Sequence, residues 1–164
     1  MTEVIIENKK INISSDESIA EIVSSNFDYS DIVAVKINDR LIDLSEKVTG
    51  DCIIELIKSS DPEGLDIIRH TCAHVFGHAI KQIYPNTKMV IGPVIDNGFY
   101  YDIYAENSIS EKELSQIEML MKKLSKKKYK IVREVVSKEK AIKIFKDRNE
   151  DYKLKLIDEI PDNE

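Results

Sequence analysis

The stretch DPEGLDIIRHTCAHVFGHAIKQIYP, residues 61–85, decides how the chain is divided. Asp61 is a good N-cap, and Pro62 suits the first position of a helix. Pro85 cannot continue a helix, so the pattern predicts one long helix that runs to about Tyr84. Because apolar residues return every three to four positions, we expect one side of this helix to face a core. That side comprises Leu65, Ile68, Cys72, Val75, Phe76, Ala79 and Ile83.

All histidines of the chain lie in this helix, at His70, His74 and His78. A spacing of four places them on one stripe, opposite the apolar side and together with Lys81. Such a stripe is either solvated or functional: neutral imidazoles activate water near neutral pH, and two of them one turn apart can hold a metal ion. The zinc-protease pattern requires Glu directly after the first histidine, where this chain has Thr71. We therefore expect no metal site here.

Residues 1–60 predict a compact α+β unit. A helix around residues 19–23 is expected, capped by Ser14 or Ser15. A hairpin, a helix and then returning strands is the order of a ubiquitin-like β-grasp fold, and a ferredoxin-like α+β unit is the alternative. The predicted strands are 4–6, 10–13, 32–37, 41–44 and 52–57.

The sequence after the long helix also mixes strands and helices. Asp96-Asn97-Gly98 is a strong hairpin signal, because Asn and Gly tolerate positive φ, and strand candidates at 89–91 and 99–101 flank it. The second unit, residues 61–164, is therefore α+β as well. Its other predicted elements are a helix opened by the capping box Ser110-Glu111-Lys112-Glu113, a strand at 129–136, a helix from Ser137 and a strand at 152–157.

The composition is that of a soluble globular protein, with 42% hydrophobic and 33% charged residues and a net charge of −6. The acidic balance argues against a chain that coats nucleic acid along its whole length. No apolar run approaches the roughly 20 residues of a membrane span, so no membrane partner is expected. Cys52 and Cys72 lack CxxC spacing, and no apolar leader is evident, so we expect a reducing, cytoplasmic location.

Four short motifs stand out along the second unit. They are Ile68-Arg69-His70-Thr71-Cys72-Ala73-His74, Tyr84-Pro85, Ile91-Gly92-Pro93 and Gly98-Phe99-Tyr100-Tyr101-Asp102. Together they resemble the editing domain of threonyl-tRNA synthetases, and the preceding residues resemble the TGS module that begins that family. The HxxxH pair alone also occurs in alanyl-tRNA synthetases, whereas Gly-Phe-Tyr-Tyr-Asp is more specific. The resemblance implies a TGS domain at 1–60 and an editing (second additional) domain at 61–164, incomplete at its C-terminus.

The resemblance implies hydrolysis of mischarged seryl-tRNA(Thr). One methyl group, worth only about 1–3 kcal/mol, separates threonine from serine, so a second sieve is physically motivated. His70 and His74 match the family's HxxxH pair, which positions or activates the attacking water. Tyr101 matches the tyrosine beside the substrate, and Lys153 matches the lysine that contacts the aminoacyl-adenosine end. Without the family, Tyr101 and Cys72 would be interpreted as core residues and Lys153 as solvent-facing.

The same resemblance marks what these 164 residues lack. The family's editing site is completed by a later Cys-x-x-x-His segment, and no such segment occurs here. The parts that bind ATP, threonine and a catalytic zinc ion, and the anticodon-binding domain, are also lacking. We therefore expect a fragment of a longer class II threonine–tRNA ligase that holds no cofactor and is inactive alone. The full-length family enzyme is expected to use ATP and zinc, and to dimerise through parts outside this fragment.

Five lysines near the end of a predicted helix form a basic cluster in this acidic chain. They are Lys122, Lys123, Lys126, Lys127 and Lys128. The cluster is either a solvated helix end, where lysines complement the helix dipole, or a set of phosphate contacts for the tRNA acceptor end. Tyr129 is the one aromatic residue interleaved here, so base-specific readout is not expected.

Two alternatives to an enzyme fragment remain. The first is a non-catalytic, TGS-containing module that binds RNA or a regulator, because TGS modules also occur in GTPases and stringent-response enzymes. The second is a small metal protein that uses the histidine stripe. The HxxxH helix combined with Gly98-Phe99-Tyr100-Tyr101 favours the enzyme fragment.

Overall fold

The computed structural model describes residues 2–14, 16–105 and 108–161. These residues form five α-helices, a five-stranded sheet and two two-stranded sheets, which confirms the predicted α+β class. The chain separates into two compact units, Met1–Ile68 and Arg69–Glu164. Within the described ranges, no helix combines the length and the apolar character needed to cross a membrane.

The first unit is built on one mixed sheet. Its strands follow the order β2-β1-β5-β3-β4, in which β1 and β5 are parallel and the other neighbours are antiparallel. This is the β-grasp arrangement that the element order predicts, rather than the ferredoxin-like alternative; the identification as a TGS domain stays a prediction. The elements are β1 (Thr2–Ile6), β2 (Lys9–Ile13), α1 (Ile19–Asn26), β3 (Ile32–Ile37), β4 (Arg40–Ile42) and β5 (Cys52–Lys58).

The cap of helix α1 lies later in the chain than the sequence predicts. Its N-cap is Ser18, whose hydroxyl accepts a hydrogen bond from the Glu21 N–H at 3.3 Å, while the Glu21 carboxylate accepts from the Ser18 N–H at 2.8 Å. Ser14, one of the two predicted caps, lies four residues before this cap, and its N–H donates to the carboxylate of Glu17 at 2.7 Å; the other candidate, Ser15, lies outside the described residues. The core is formed by Val4, Ile6, Ile13, Ile19, Ile22, Val23, Ile32, Val35, Val48 and Ile54.

The second unit packs helices and short strands around a small core. The hairpin predicted at Asp96-Asn97 is present, because Val94 pairs with Phe99 and Ile95 with Gly98. Its core comprises Ala79, Ile80, Met89, Ile117 and Leu124. The elements are α2 (Pro62–Ile83), which starts in the first unit, then β6 (Lys88–Ile91), β7 (Val94–Ile95), β8 (Gly98–Phe99), β9 (Asp102–Tyr104), α3 (Glu111–Lys126), α4 (Lys138–Asp147) and α5 (Asp151–Asp158).

Two predicted strands of this unit are wrong. Residues 129–136 are irregular, and Ile131, Val132 and Val135 are more than 70% exposed, because no described strand pairs with this segment. Residues 152–157 lie in helix α5. Apolar residues and lysines alternate here as they do in a strand. The less exposed residues Lys153 and Ile157 are instead four positions apart, which is the spacing of one helical turn.

The apolar side of α2 is also shifted from its predicted position. Leu65 and Ile68 are 39% and 41% exposed, whereas Ala73, Ala79 and Ile80 are buried. The core contacts of this helix in the second unit therefore come from its C-terminal half. The histidine stripe stays outside the core, and all three imidazole side chains belong to exposed residues.

The Ile91-Gly92-Pro93 motif has a steric explanation. A Cβ atom built on Gly92 would lie 2.6 Å from Cδ2 and Cε2 of the Tyr101 ring, a distance that real Cβ contacts do not reach. The absence of a side chain at residue 92 therefore lets the Tyr101 ring lie against the backbone.

We predict that Gly92→Ala displaces the Tyr101 ring and lowers the free energy of unfolding of the second unit by about 1–3 kcal/mol, the usual cost of overpacking. Urea unfolding and the NMR signals of the Tyr101 ring measure the two effects. Gly50→Ala, in the first unit, is the control and should leave the unfolding of the second unit unchanged, since a Cβ there meets no atom within 4 Å. Equal stability of the two variants would contradict the steric role of Gly92.

We also predict that Glu113 makes folding pH-dependent. Its carboxylate accepts hydrogen bonds from the Ser110 hydroxyl and N–H and from the Tyr84 hydroxyl, which lower its pKa from 4.5 to about 2. The stabilisation is therefore complete above pH 4.5 and is lost as the pH falls toward 2. Thermal unfolding between pH 6 and pH 3 should show a smaller loss of stability in Glu113→Gln than in the unmodified chain. Glu111→Gln, in the same helical turn, should leave the loss unchanged; parallel curves for all three proteins would refute the assignment.

Candidate functional site

An open groove in the second unit is lined by imidazole, cationic, phenol and carboxylate side chains. It has a volume of about 470 Å³. Helix α2 forms one wall, and the start of α5 contributes to the other side. Glu150 is its one carboxylate among several cationic or imidazole groups. This histidine groove is lined by His74, Gly77, His78, Lys81, Pro85, Met89, Tyr101, Phe145, Arg148, Glu150 and Lys153.

His70 and His74 form a hydrogen-bonded pair beside the groove. Their Nε2 atoms are 2.9 Å apart and their ring centroids 4.8 Å apart. Partial burial, the neighbouring His70 and the charge of Lys153 lower the pKa of His74, in that order of importance. His74 is therefore neutral at pH 7, the form in which an imidazole accepts a proton.

The two imidazoles by themselves are too few ligands for a protein-bound zinc ion. Among the described residues, no three or more His, Cys, Asp or Glu side chains are grouped so that they could hold a metal ion. A zinc ion bound by protein alone normally takes four such ligands.

Tyr101 belongs both to the core and to the groove. Its ring lies 5.8 Å from the ring of Phe76 and against Gly92, as the alternation of the sequence suggests for a core residue. Burial, and secondarily the charge of Glu150, raise the pKa of its hydroxyl. Tyr101 is therefore protonated at neutral pH and can donate a hydrogen bond into the groove.

Lys153 reaches the groove from the first turn of α5. Its Nζ donates to the carbonyl oxygen of Val90 at 3.2 Å, so the side chain is partly buried rather than solvent-facing. The expectation of a solvated lysine rested on the strand prediction, which the helix replaces. The fold thus brings together all four predicted site residues, His70, His74, Tyr101 and Lys153, although they are up to 83 positions apart (153 − 70).

Sequence reasoning did not predict the ion pair between two groove residues, Lys81 and Glu150. Lys81 Nζ lies 2.6 Å from Oε1 of Glu150, and Glu150 is only 7% exposed. Periodicity placed Lys81 on the histidine stripe, which was a usable signal. No signal marks Glu150, because its burial depends on a partner 69 residues earlier (150 − 81).

The basic cluster lies outside the groove. Its five lysines are exposed at the end of α3 and just after it, and none of them lines the groove. Lys122 pairs with Glu118 at 2.6 Å, and Lys127 donates to the hydroxyl of Tyr129 at 3.1 Å. The Tyr129 ring is 6.3 Å from the ring of His78, so the chain after α3 passes beside the groove.

Known proteins with similar sequences belong to the family that the motifs indicate. No family model matches the chain. The chain is 46% identical over 132 residues to a threonine–tRNA ligase of Psychrobacter arcticus and 45% identical over 132 residues to that of Psychrobacter cryohalolentis. Each match covers 80% of this chain and 20% of the relative, so the chain spans about a fifth of the length of these curated relatives. The chain is therefore homologous to part of the threonine–tRNA ligases, which confirms the family that its motifs indicate, whereas the TGS and editing domains stay predictions.

Proposed function

We propose that the histidine groove is part of a site that hydrolyses the ester of a mischarged seryl-tRNA. One observation carries the proposal. His74, Tyr101 and Lys153, which the family resemblance selects from distant parts of the sequence, line a single groove, and His70 is hydrogen-bonded to His74. The identity to threonine–tRNA ligases supports the same assignment.

The chemistry needs a base and donors for the oxyanion. A neutral imidazole of the His70–His74 pair takes a proton from water, whose oxygen attacks the carbonyl carbon of the ester. The carbonyl oxygen becomes negative, and the Lys153 ammonium and Tyr101 hydroxyl are the groove donors that can stabilise it. When the intermediate collapses, the bond to the ribose oxygen breaks, and that oxygen takes the proton back from the imidazole.

The charges around the groove fit an RNA end. Arg148 and Lys153 place positive charge along the lining, which attracts the phosphates near the esterified nucleotide, whereas the charge of Lys81 is compensated by Glu150. The basic cluster after α3 supplies further phosphate contacts in this proposal. In a longer protein, the chain would serve a cytoplasmic class II threonine–tRNA ligase by removing serine from its tRNA.

The proposed site needs more than these residues. No Cys-x-x-x-His segment occurs in the 164 residues, and the groove is open to solvent. The loss of one well-placed oxyanion donor costs roughly 100–1000-fold in rate. We therefore expect the chain to bind the aminoacyl end of a tRNA but to hydrolyse its ester slowly.

We predict that the 164-residue chain deacylates seryl-tRNA(Thr) at least about 100-fold more slowly than a longer protein that adds the Cys-x-x-x-His segment of a relative. The measurement is single-turnover release of serine from seryl-tRNA. His70→Ala in the longer protein is the control and should abolish the gain. Efficient hydrolysis by the short chain that persists in His70→Ala would contradict the proposed site.

We also predict the pH dependence of hydrolysis in the longer protein. Because the pKa of His74 lies below 6.5, the rate should fall only when the pH drops below 6.5, where His74 becomes protonated. Lys153→Met removes a positive neighbour and should move this acid limb to higher pH. His78→Ala, a change on the same stripe, should leave the limb in place. An acid limb at or above pH 6.5 in the unmodified protein is the result that would exclude His74 as the base.

A further inference from the structure

We propose that the ion pair between Lys81 and Glu150 holds Lys153 beside the His70–His74 pair, so that Glu150 is a positioning residue of the histidine groove. The role rests on the proposed function, since the place of Lys153 matters to chemistry only if the groove takes an ester.

The cation of the pair is fixed by the end of α2. Lys81 lies in the last turn of that helix. Its Nζ donates to the carbonyl oxygens of Thr87 at 2.8 Å and Pro85 at 3.3 Å, besides its 2.6 Å contact with Glu150 Oε1. Since an ammonium has three donors, these contacts use all of them and leave Lys81 little freedom to move.

Glu150 is the joint between helices α4 and α5. Its N–H donates to the carbonyl oxygen of Phe145 at 2.9 Å, at the end of α4. Its carbonyl oxygen accepts from the N–H groups of Lys153 at 3.0 Å and Leu154 at 3.2 Å, which form the first turn of α5. A side chain anchored on Lys81 therefore fixes the point from which α5 starts.

Lys153 lies in the turn that Glu150 starts. Its ammonium contacts the Val90 carbonyl at 3.2 Å, the upper end of the usual range for a hydrogen bond, so a shift of the Lys153 backbone away from Val90 would weaken this contact. From this position its ammonium and His74 line the same groove. Movement of the first turn of α5 would take the charge of Lys153 away from the histidine pair.

The pair also explains why Glu150 can be buried. Its second oxygen, Oε2, is buried and has no hydrogen-bond partner among the described residues, so Lys81 is the group that compensates the carboxylate. Removing one partner of a buried ion pair leaves the other charge uncompensated, whereas neutralising both is often tolerated. The single variant Glu150→Gln is therefore more prone to unfold than the double variant Lys81→Met/Glu150→Gln, in which both charges are removed.

The test measures the electrostatic coupling between Lys153 and His74 without any substrate. The chain has only three histidines, so NMR titration resolves the pKa of His74 in the 164-residue protein. Lys153→Met should raise this pKa in the unmodified chain, because a positive neighbour is removed. When Lys153→Met is made in the Glu150→Gln variant, the pKa of His74 should rise by about half as much or less, since Lys153 is then no longer held beside His74. The other charged or titratable groups around His74 are His70, its hydrogen-bond partner, and the groove residues His78, Lys81, Tyr101, Arg148 and Glu150.

The matched control is Asp151→Asn. Asp151 lies next to Glu150 and pairs with Lys88 at 3.1 Å, but its side chain is 70% exposed, so its loss should leave the coupling at its full size. If Glu150→Gln does not fold, the double variant Lys81→Met/Glu150→Gln replaces it and should show the same reduced coupling.

Full coupling in folded Glu150→Gln or in the double variant overturns the positioning role. Failure of both variants to fold also overturns it, because the pair would then support the unit as a whole. The proposed function fails separately: a longer protein without deacylase activity can still show the coupling, and an active one can lack its dependence on Glu150.

Discussion

The division of helix α2 into a packed side and a histidine side is the constraint on which the second unit depends. Ala79 and Ile80 are fully buried, so the opposite stripe has to face outward. A spacing of four then brings the Nε2 atoms of His70 and His74 within 2.9 Å of each other. Two glycines let the Tyr101 side chain pack closely against this helix and the neighbouring backbone, because Gly77 and Gly92 both lie against it.

The groove controls protonation by partial burial and by charge together. Burial and Lys153 favour the neutral form of His74, while burial and Glu150 favour the protonated form of Tyr101. A base that is neutral and a hydroxyl that is protonated at the same pH are what ester hydrolysis requires. Lys81 and Glu150 connect these groups, because their ion pair joins the histidine helix to the helix that carries Lys153.

Sequence reasoning worked where the signal was local. The helix Pro62–Ile83 has proline at its first position and just after its end, and the Asp96-Asn97 turn needs no distant partner. It failed where the outcome depends on distant contacts. Residues 129–136 have strand-like residues but no described strand to pair with, and alternation at 152–157 was overridden by helix formation. The four proposed site residues followed from the family motifs, whereas buried Glu150 could not be found without its contact with Lys81.

The most direct test of the account is binding of a non-hydrolysable amide analogue of seryl-adenosine, followed by NMR on the 164-residue chain. The account predicts saturable shifts of the His70, His74 and Tyr101 ring signals and none in the first unit, with the threonyl analogue binding more weakly. Shifts confined to the first unit, or no saturable shift at the histidines, would contradict the assignment of the groove as an aminoacyl-ester site.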